Sequence, residues 1–363
     1  MPGRYGQHDR PPTPLLSNAM RNIWLTNTSL AVLARFWISS PACKMDANTS
    51  NLDYKDRSRV LTIIGALLLL GGIAIGFLGP LEMYCFYLFS EGGRFHYEGF
   101  GFGSFMFVNI ASQIIGYYLI AFIFILLGYG HLKMWRWART LSLTLLWSWL
   151  VVGAPLIIVV FFILAGSKDL SLPVALIALV FLGLSYLVFP GLLIRFYQGR
   201  NVRRTLETKD AKTYRIEELP ILILVLSSLY LFYIIMLHIL ILFNGMFPVF
   251  GVFRFGLQGI VLLDISIACL VCITWGTLRR RLWAWCTSVI LLGLFTFSTV
   301  LTFFRSSYSA ILSGLAFPPR EMEFLGGLPI QGYHFSILVG IPLFITWVIA
   351  ILSKRHFRTG VRI

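Results

Sequence analysis

Charge is what this sequence has least of. Only 12% of its 363 residues are Asp, Glu, Lys or Arg, while 58% are hydrophobic; an average soluble domain carries about 25% and 45–50%. A soluble fold of this length needs far more polar surface than that. Cysteine is scarce too. There are five, three of them (Cys269, Cys272 and Cys286) inside apolar runs, which gives no disulfide framework. H-E-x-x-H, a P-loop, G-x-S-x-G and a dinucleotide fingerprint are all missing, as are paired aspartates of the kind that hold magnesium for lipid-phosphate chemistry. These absences weigh against an enzyme, and no residue is put forward as catalytic, as a metal ligand or as a cofactor contact. His96 and Glu98 lie close together, but two ligands do not make a metal site.

What the sequence does have is long oily segments. About 20 mostly apolar residues are needed to cross roughly 30 Å of hydrocarbon. Val60–Leu81, Phe105–Gly130, Leu141–Ala165, Leu172–Ile194, Leu282–Phe304 and Phe335–Ser353 qualify without a charge, Leu219–Phe243 with one histidine, and Phe255–Gly276 with one aspartate. In hydrocarbon a helix satisfies its backbone groups within one segment, and these runs do not alternate as barrel strands do. The expectation is an all-α polytopic transmembrane bundle of about eight spans.

The formal charge of +15 is clustered between spans, the pattern of cytoplasmic loops and not of a nucleic-acid surface. With the amino terminus inside, the inner segments collect Lys55, Arg57 and Arg59; Lys133, Arg136 and Arg139; seven cations from Arg195 to Arg215; Arg279, Arg280 and Arg281; and Lys354, Arg355, Arg358 and Arg362. The outer loops hold only Arg94, Lys168, Arg254, Arg305 and Arg320. The positive-inside rule therefore places both termini in the cytoplasm, in a cell membrane whose anionic headgroups face the inner loops. Residues 1–44 are polar and Pro/Asn/Ser-rich in places; they read as disordered or as a non-native extension, with Met45 as the true start. The stretch 198–218 reads as a cytoplasmic linker, either solvated or containing a short amphipathic helix, between four-span halves at 45–197 and 219–363.

Two inner loops share a template. Gly130-His-Leu-Lys133-Met-Trp-Arg-Trp137-Ala138 aligns without gaps on Gly276-Thr-Leu-Arg279-Arg-Arg-Leu-Trp283-Ala284, each copy joining the second and third spans of a half. Four spans return the chain to the same side, so the halves would form a parallel repeat about an axis along the membrane normal. In this reading the glycine ends a helix in a left-handed turn, the cation stays among headgroups, and the tryptophan anchors the next helix at the interface. A Gly-x-Leu-basic-x-x-x-Trp-Ala loop between spans resembles a feature of several uncharacterised prokaryotic multi-pass membrane protein families. The resemblance implies a bacterial or archaeal membrane location.

Polar groups inside spans are functional candidates by default. Asp264 and His238 lie on consecutive spans and are positioned to meet as a proton- or cation-carrying pair, or as a structural bond. Steps of four from Asp264 pass through Gly256, Ile260, Ala268 and Cys272; these mostly small residues predict a face packed against protein. Asn109, Ser112 and Gln113 share a face of the second span, and Glu82 follows Pro80 at the outer end of the first. Cys269 and Cys272 form a C-x-x-C read as core packing. Helix breakers at Gly153-Ala-Pro155, Pro190-Gly191 and Gly340-Ile-Pro342 fall at unmatched places in the two halves, against an alternating-access transporter. The leading expectation is a non-enzymatic membrane protein binding lipid or a partner; a small-solute or proton-coupled transporter is the alternative, and a lipid-modifying enzyme comes third.

Overall fold

A computed structural model describes residues 54–96, 103–166 and 171–357. The reading of residues 1–44 and the ligand role weighed for Glu98 fall outside them. Among the described residues eight helices are long and apolar enough to cross a membrane, one for each run. They are α1 (Ser58–Phe89), α2 (Phe105–Leu132), α3 (Arg136–Gly166), α4 (Leu172–Gln198), α6 (Ile221–Leu242), α7 (Gly256–Leu278), α8 (Leu282–Arg305) and α11 (Gly332–Leu352). A short helix α5 (Arg200–Lys209) joins α4 to α6, and α9 (Tyr308–Leu315) and α10 (Pro319–Gly326) join α8 to α11. Strands β1 (Phe247–Val249) and β2 (Val252–Arg254) form an antiparallel hairpin between α6 and α7. The fold is an all-α polytopic bundle.

Helices α1 and α2 form a hairpin whose closeness comes from glycine. Gly65, Gly72 and Gly79 recur every seven residues and are all buried, the period that keeps one seam of a helix against its partner. A Cβ on Gly65 would stand 2.9 Å from the His131 Cβ, one on Gly72 2.9 Å from Ile125, and one on Gly79 2.9 Å from the Tyr118 ring. From the facing helix, a Cβ on Gly128 would stand 2.6 Å from the Leu69 nitrogen. Backbones this close gain dispersion contacts that lipid cannot replace.

The main core lies elsewhere. Val151 of α3 joins Leu226, Leu229, Tyr230 and Tyr233 of α6, Leu270 and Ile273 of α7, Leu292 of α8, and Leu343 and Ala350 of α11. Polar side chains bond across it: the Tyr233 hydroxyl with Thr346 at 2.8 Å, the Tyr230 hydroxyl with Ser288, and the Trp347 and Trp285 indoles donating to the Val289 and Ala350 carbonyls at 2.9 Å. In α4, Pro190 has no N–H and its ring crowds the carbonyl four residues back; the helix widens into a π-turn over Leu184–Val188 just before it. Helix α5 is amphipathic, burying Val202, Thr205 and Leu206 in a cluster with Leu61, Leu143, Ile194 and Tyr197.

The two template loops have the same backbone bonds, 146 positions apart. Lys133 N–H donates to Tyr129 O (3.0 Å), Met134 to His131 O (3.0 Å) and Trp135 to Gly130 O (2.9 Å); Arg279 donates to Trp275 O (3.2 Å), Arg280 to Thr277 O (2.9 Å) and Arg281 to Gly276 O (3.0 Å). The expected role of the glycine is corrected. Gly130 and Gly276 are helical, and the left-handed residues are Met134 (φ 55°) and Arg280 (φ 56°), four positions later. The glycines are needed for space: a Cβ on either would stand 2.9 Å or less from the template alanine and tryptophan. Trp137 is accordingly buried against Gly130 rather than anchored at the interface, while Trp283 stays half exposed.

Candidate functional site

The structure does not form the expected pair of Asp264 and His238. The His238 Nδ1–H donates to the Ile234 carbonyl of its own helix at 2.7 Å. Asp264 is exposed and makes no hydrogen bond or ion pair with a described residue. The packed stripe of α7 runs through Gly259, Leu263, Ser266, Leu270 and Ile273, bulkier than the expected ridge and rotated away from it. Large apolar side chains decided which face is buried, and Asp264, one position past Leu263, turns outward. Cys269 and Cys272 turn outward with it and are exposed, not core residues. The transport alternative loses its carrier pair.

A second group of candidates does come together. Asn109, Gln113 and Tyr117 follow at intervals of four on α2, all half buried. The Tyr117 hydroxyl donates to the Gln113 Oε1 at 3.2 Å and lies beside the Glu82 carboxylate of α1. Ser112, on the same helix, is spent on its own backbone, donating to the Val108 carbonyl at 2.7 Å. Tyr117 was missed in the sequence, although its spacing from Gln113 repeats that of Gln113 from Asn109.

The position of this stripe gives it interest. Residues Asn109, Gln113, Gly116, Ile120, Ile123 and Leu127 follow one another along one side of α2. At the end nearest the basic loops, Ile123 and Leu127 pack with Trp137, Ala138, Leu141 and Leu145 of α3. At the other end Phe105, Phe107 and Val108 pack with Leu312, Phe317 and Leu325. There the Phe105 and Met106 amides donate to the Glu321 carboxylate of α10 at 2.6 and 3.2 Å, a negative charge at a helix N-terminus that stabilises the join. Between these ends lies Gly116. A Cβ on Gly116 would meet nothing within 4 Å. Trp149, one turn beyond Leu145 on α3, is 44% exposed and stacks on Tyr186 of α4 at 5.5 Å. Asn109, Gln113, Tyr117 and Glu82 thus stand half buried between the two packed ends, and Trp149 and Tyr186 form an aromatic pair further along α3 and α4. Counting from Phe105, the polar stripe spans depths of about 6 to 18 Å at 1.5 Å per residue.

The side bearing the basic loops is locked. Buried His131 donates from Nδ1 to the Leu127 carbonyl (2.7 Å) and accepts at Nε2 from the Tyr197 hydroxyl (2.8 Å); Arg139 Nε donates to the Tyr197 carbonyl (2.7 Å). Arg136 pairs with Glu217 at 3.1 Å, and its backbone N–H donates to Asp210. Burial pushes the Glu217 carboxyl above its ordinary value, the Arg136 guanidinium partly opposing this. The Tyr214 phenol is pushed up to about 12, by burial first and then by Asp210. Every polar atom of the His131–Tyr197 pair is satisfied within the protein, which is a structural assignment. Of the template cations, Lys133 and Arg279 are exposed and rest over the rings of Tyr129 (5.8 Å) and Trp275 (4.2 Å). Among the described residues no three His, Cys, Asp or Glu side chains are grouped to hold a metal.

Fold and composition together define a polytopic α-helical membrane protein. Compared with known families, curated proteins and solved structures, the chain matches none.

Proposed function

We propose that this chain is a non-enzymatic, multi-pass cell-membrane protein that holds the polar head of an amine-bearing lipid in a crevice beside α2, between its polar stripe and the Trp149–Tyr186 pair. One observation carries the reading: Asn109, Gln113, Tyr117 and Glu82 stand half buried at membrane depth, with Asn109 unbonded to any described residue and the Gln113 amide N–H groups unused. Unmet hydrogen-bonding groups in hydrocarbon are costly. An ammonium headgroup brings donors for Glu82 and for the amide oxygens, and its ester oxygens accept from the amide N–H groups. Trp149 and Tyr186 offer aromatic faces for the cation or the first part of an acyl chain.

The basic loops set the orientation, with both termini cytoplasmic and Lys133 and Arg279 exposed toward anionic headgroups. The matched bonds of the Gly130 and Gly276 loops support a duplicated four-span half, and the likeness of that loop to uncharacterised prokaryotic membrane families supports a prokaryotic membrane. The test is native mass spectrometry of the protein released from nanodiscs of mixed phosphatidylethanolamine and phosphatidylglycerol. The wild type is expected to retain phosphatidylethanolamine, and Glu82→Gln together with Gln113→Leu to lose that preference. Equal retention of both lipids, or a preference unchanged in the double variant, refutes the proposal.

A further inference from the structure

Asp264 requires an account of its own, independent of the crevice. It lies eight residues from the start of α7 and fourteen from its end, or about 12 and 21 Å at 1.5 Å per residue. An aspartate side chain is too short to reach either headgroup layer from there, and an ionisable group at such depth is rare unless it faces protein or a water-filled path. Among the described residues no cation pairs with it. Asp264 is the only charged residue of α7; the two transmembrane helices packed against α7 offer only His238, already bonded to Ile234, and Arg305 at the C-terminus of α8, which lies beside Gly251 of the hairpin. Arg254 belongs to the hairpin beyond the end of α7.

The surface around it has the shape of an interface. Val261, Ile265, Ala268 and Cys272 are exposed at alternating steps of four and three, with Asp264 and Cys269 alongside. That spacing makes a seam for a second helix, and alanine and cysteine allow close approach. Three occupants can be compared. Lipid carries its cations at the surface, and at the depth of Asp264 the exposed Val261, Ile265 and Ala268 give a headgroup nothing to hold it there as the amides beside α2 do. A second copy related by a two-fold axis brings one Asp264 toward the other, and like charges in a low-dielectric setting repel. A transmembrane helix of another protein with a lysine or arginine at matching depth satisfies both the charge and the seam. We infer that the exposed side of α7 docks such a helix, with Asp264 as the counter-ion.

The experiment uses full-length protein in liposomes with a designed Leu/Ala transmembrane peptide, bearing either one lysine about 12 Å below the surface or leucine at that position, and reads association by energy transfer. The lysine peptide is expected to bind the wild type about ten-fold more tightly than the leucine peptide, equivalent to about 1.4 kcal/mol. Asp264→Asn should remove that difference and Asp264→Glu should keep it; since position 264 faces away from the bundle, neither variant should lower thermal stability. Equal binding of the two peptides by the wild type, or a difference that survives Asp264→Asn, overturns the inference. So does efficient disulfide crosslinking of Cys269 or Cys272 between copies, which assigns the seam to a homodimer.

Discussion

Adjacent glycines on α1 allow a controlled test of the packing argument. Adding a methyl at Gly72 puts a Cβ 2.9 Å from the Ile125 Cγ1 and nitrogen and 3.0 Å from the Ala121 carbonyl, whereas at Gly71 it meets only the Phe124 ring at 3.8 Å, an ordinary contact. The backbone atoms at Gly72 cannot step aside, so the helices must separate, and overpacking of this kind costs about 1–3 kcal/mol. Gly71→Ala incurs no clash and gains roughly 0.5–1 kcal/mol from the lower flexibility of alanine in a helix. Gly72→Ala shares that gain, so the pair should differ by the overpacking cost alone, about 1–3 kcal/mol, with Gly72→Ala the less stable. Reversible unfolding in mixed micelles, followed by circular dichroism, measures this directly. Equal stabilities for the two variants would refute the claim that α1 and α2 touch through backbone at Gly72.

Two further outcomes follow from the ends of the bundle. Removing the Glu321 carboxylate with Glu321→Ala frees two amides at the start of α2 and should cost about 0.5–2 kcal/mol, visible as faster hydrogen exchange confined to Phe105–Val108 and its neighbours. On the other side, Glu217 has a folded pKa above its ordinary 4.5, so the folded chain holds that proton more tightly than the unfolded one. Its contribution to stability is full below pH 4.5 and is lost as the pH rises through the folded value. Glu217→Gln should flatten this part of the stability–pH curve. Arg136→Gln should steepen it, and at neutral pH it should cost more than Glu217→Gln, because it leaves a largely buried carboxylate unpaired.

The spans were legible because about 20 apolar residues in a row admit one conformation in hydrocarbon. Their ends were less so. α1 runs through Pro80 to Phe89 and α3 starts at Arg136, not Leu141, because a helix beyond the apolar boundary still satisfies its own backbone and a single proline does not end it. Rotation about each helix axis was the harder problem. In an all-apolar helix hydrophobicity does not distinguish the lipid face from the protein face, so Asp264 and the two cysteines of α7 were turned the wrong way. The seven-residue period of Gly65, Gly72 and Gly79 does carry the rotation of α1 in the sequence. The Asn109–Gln113 face was visible in the sequence, but its meeting with Glu82 through Tyr117 depends on how α1 and α2 pair.

The central claim, an open crevice beside α2 that selects a lipid head, is tested most directly by photocrosslinking from benzoylphenylalanine at Gly116. Adducts should be enriched in phosphatidylethanolamine over its share of the surrounding bilayer. Adducts to α3 itself, or lipids captured in bulk proportion, would contradict it.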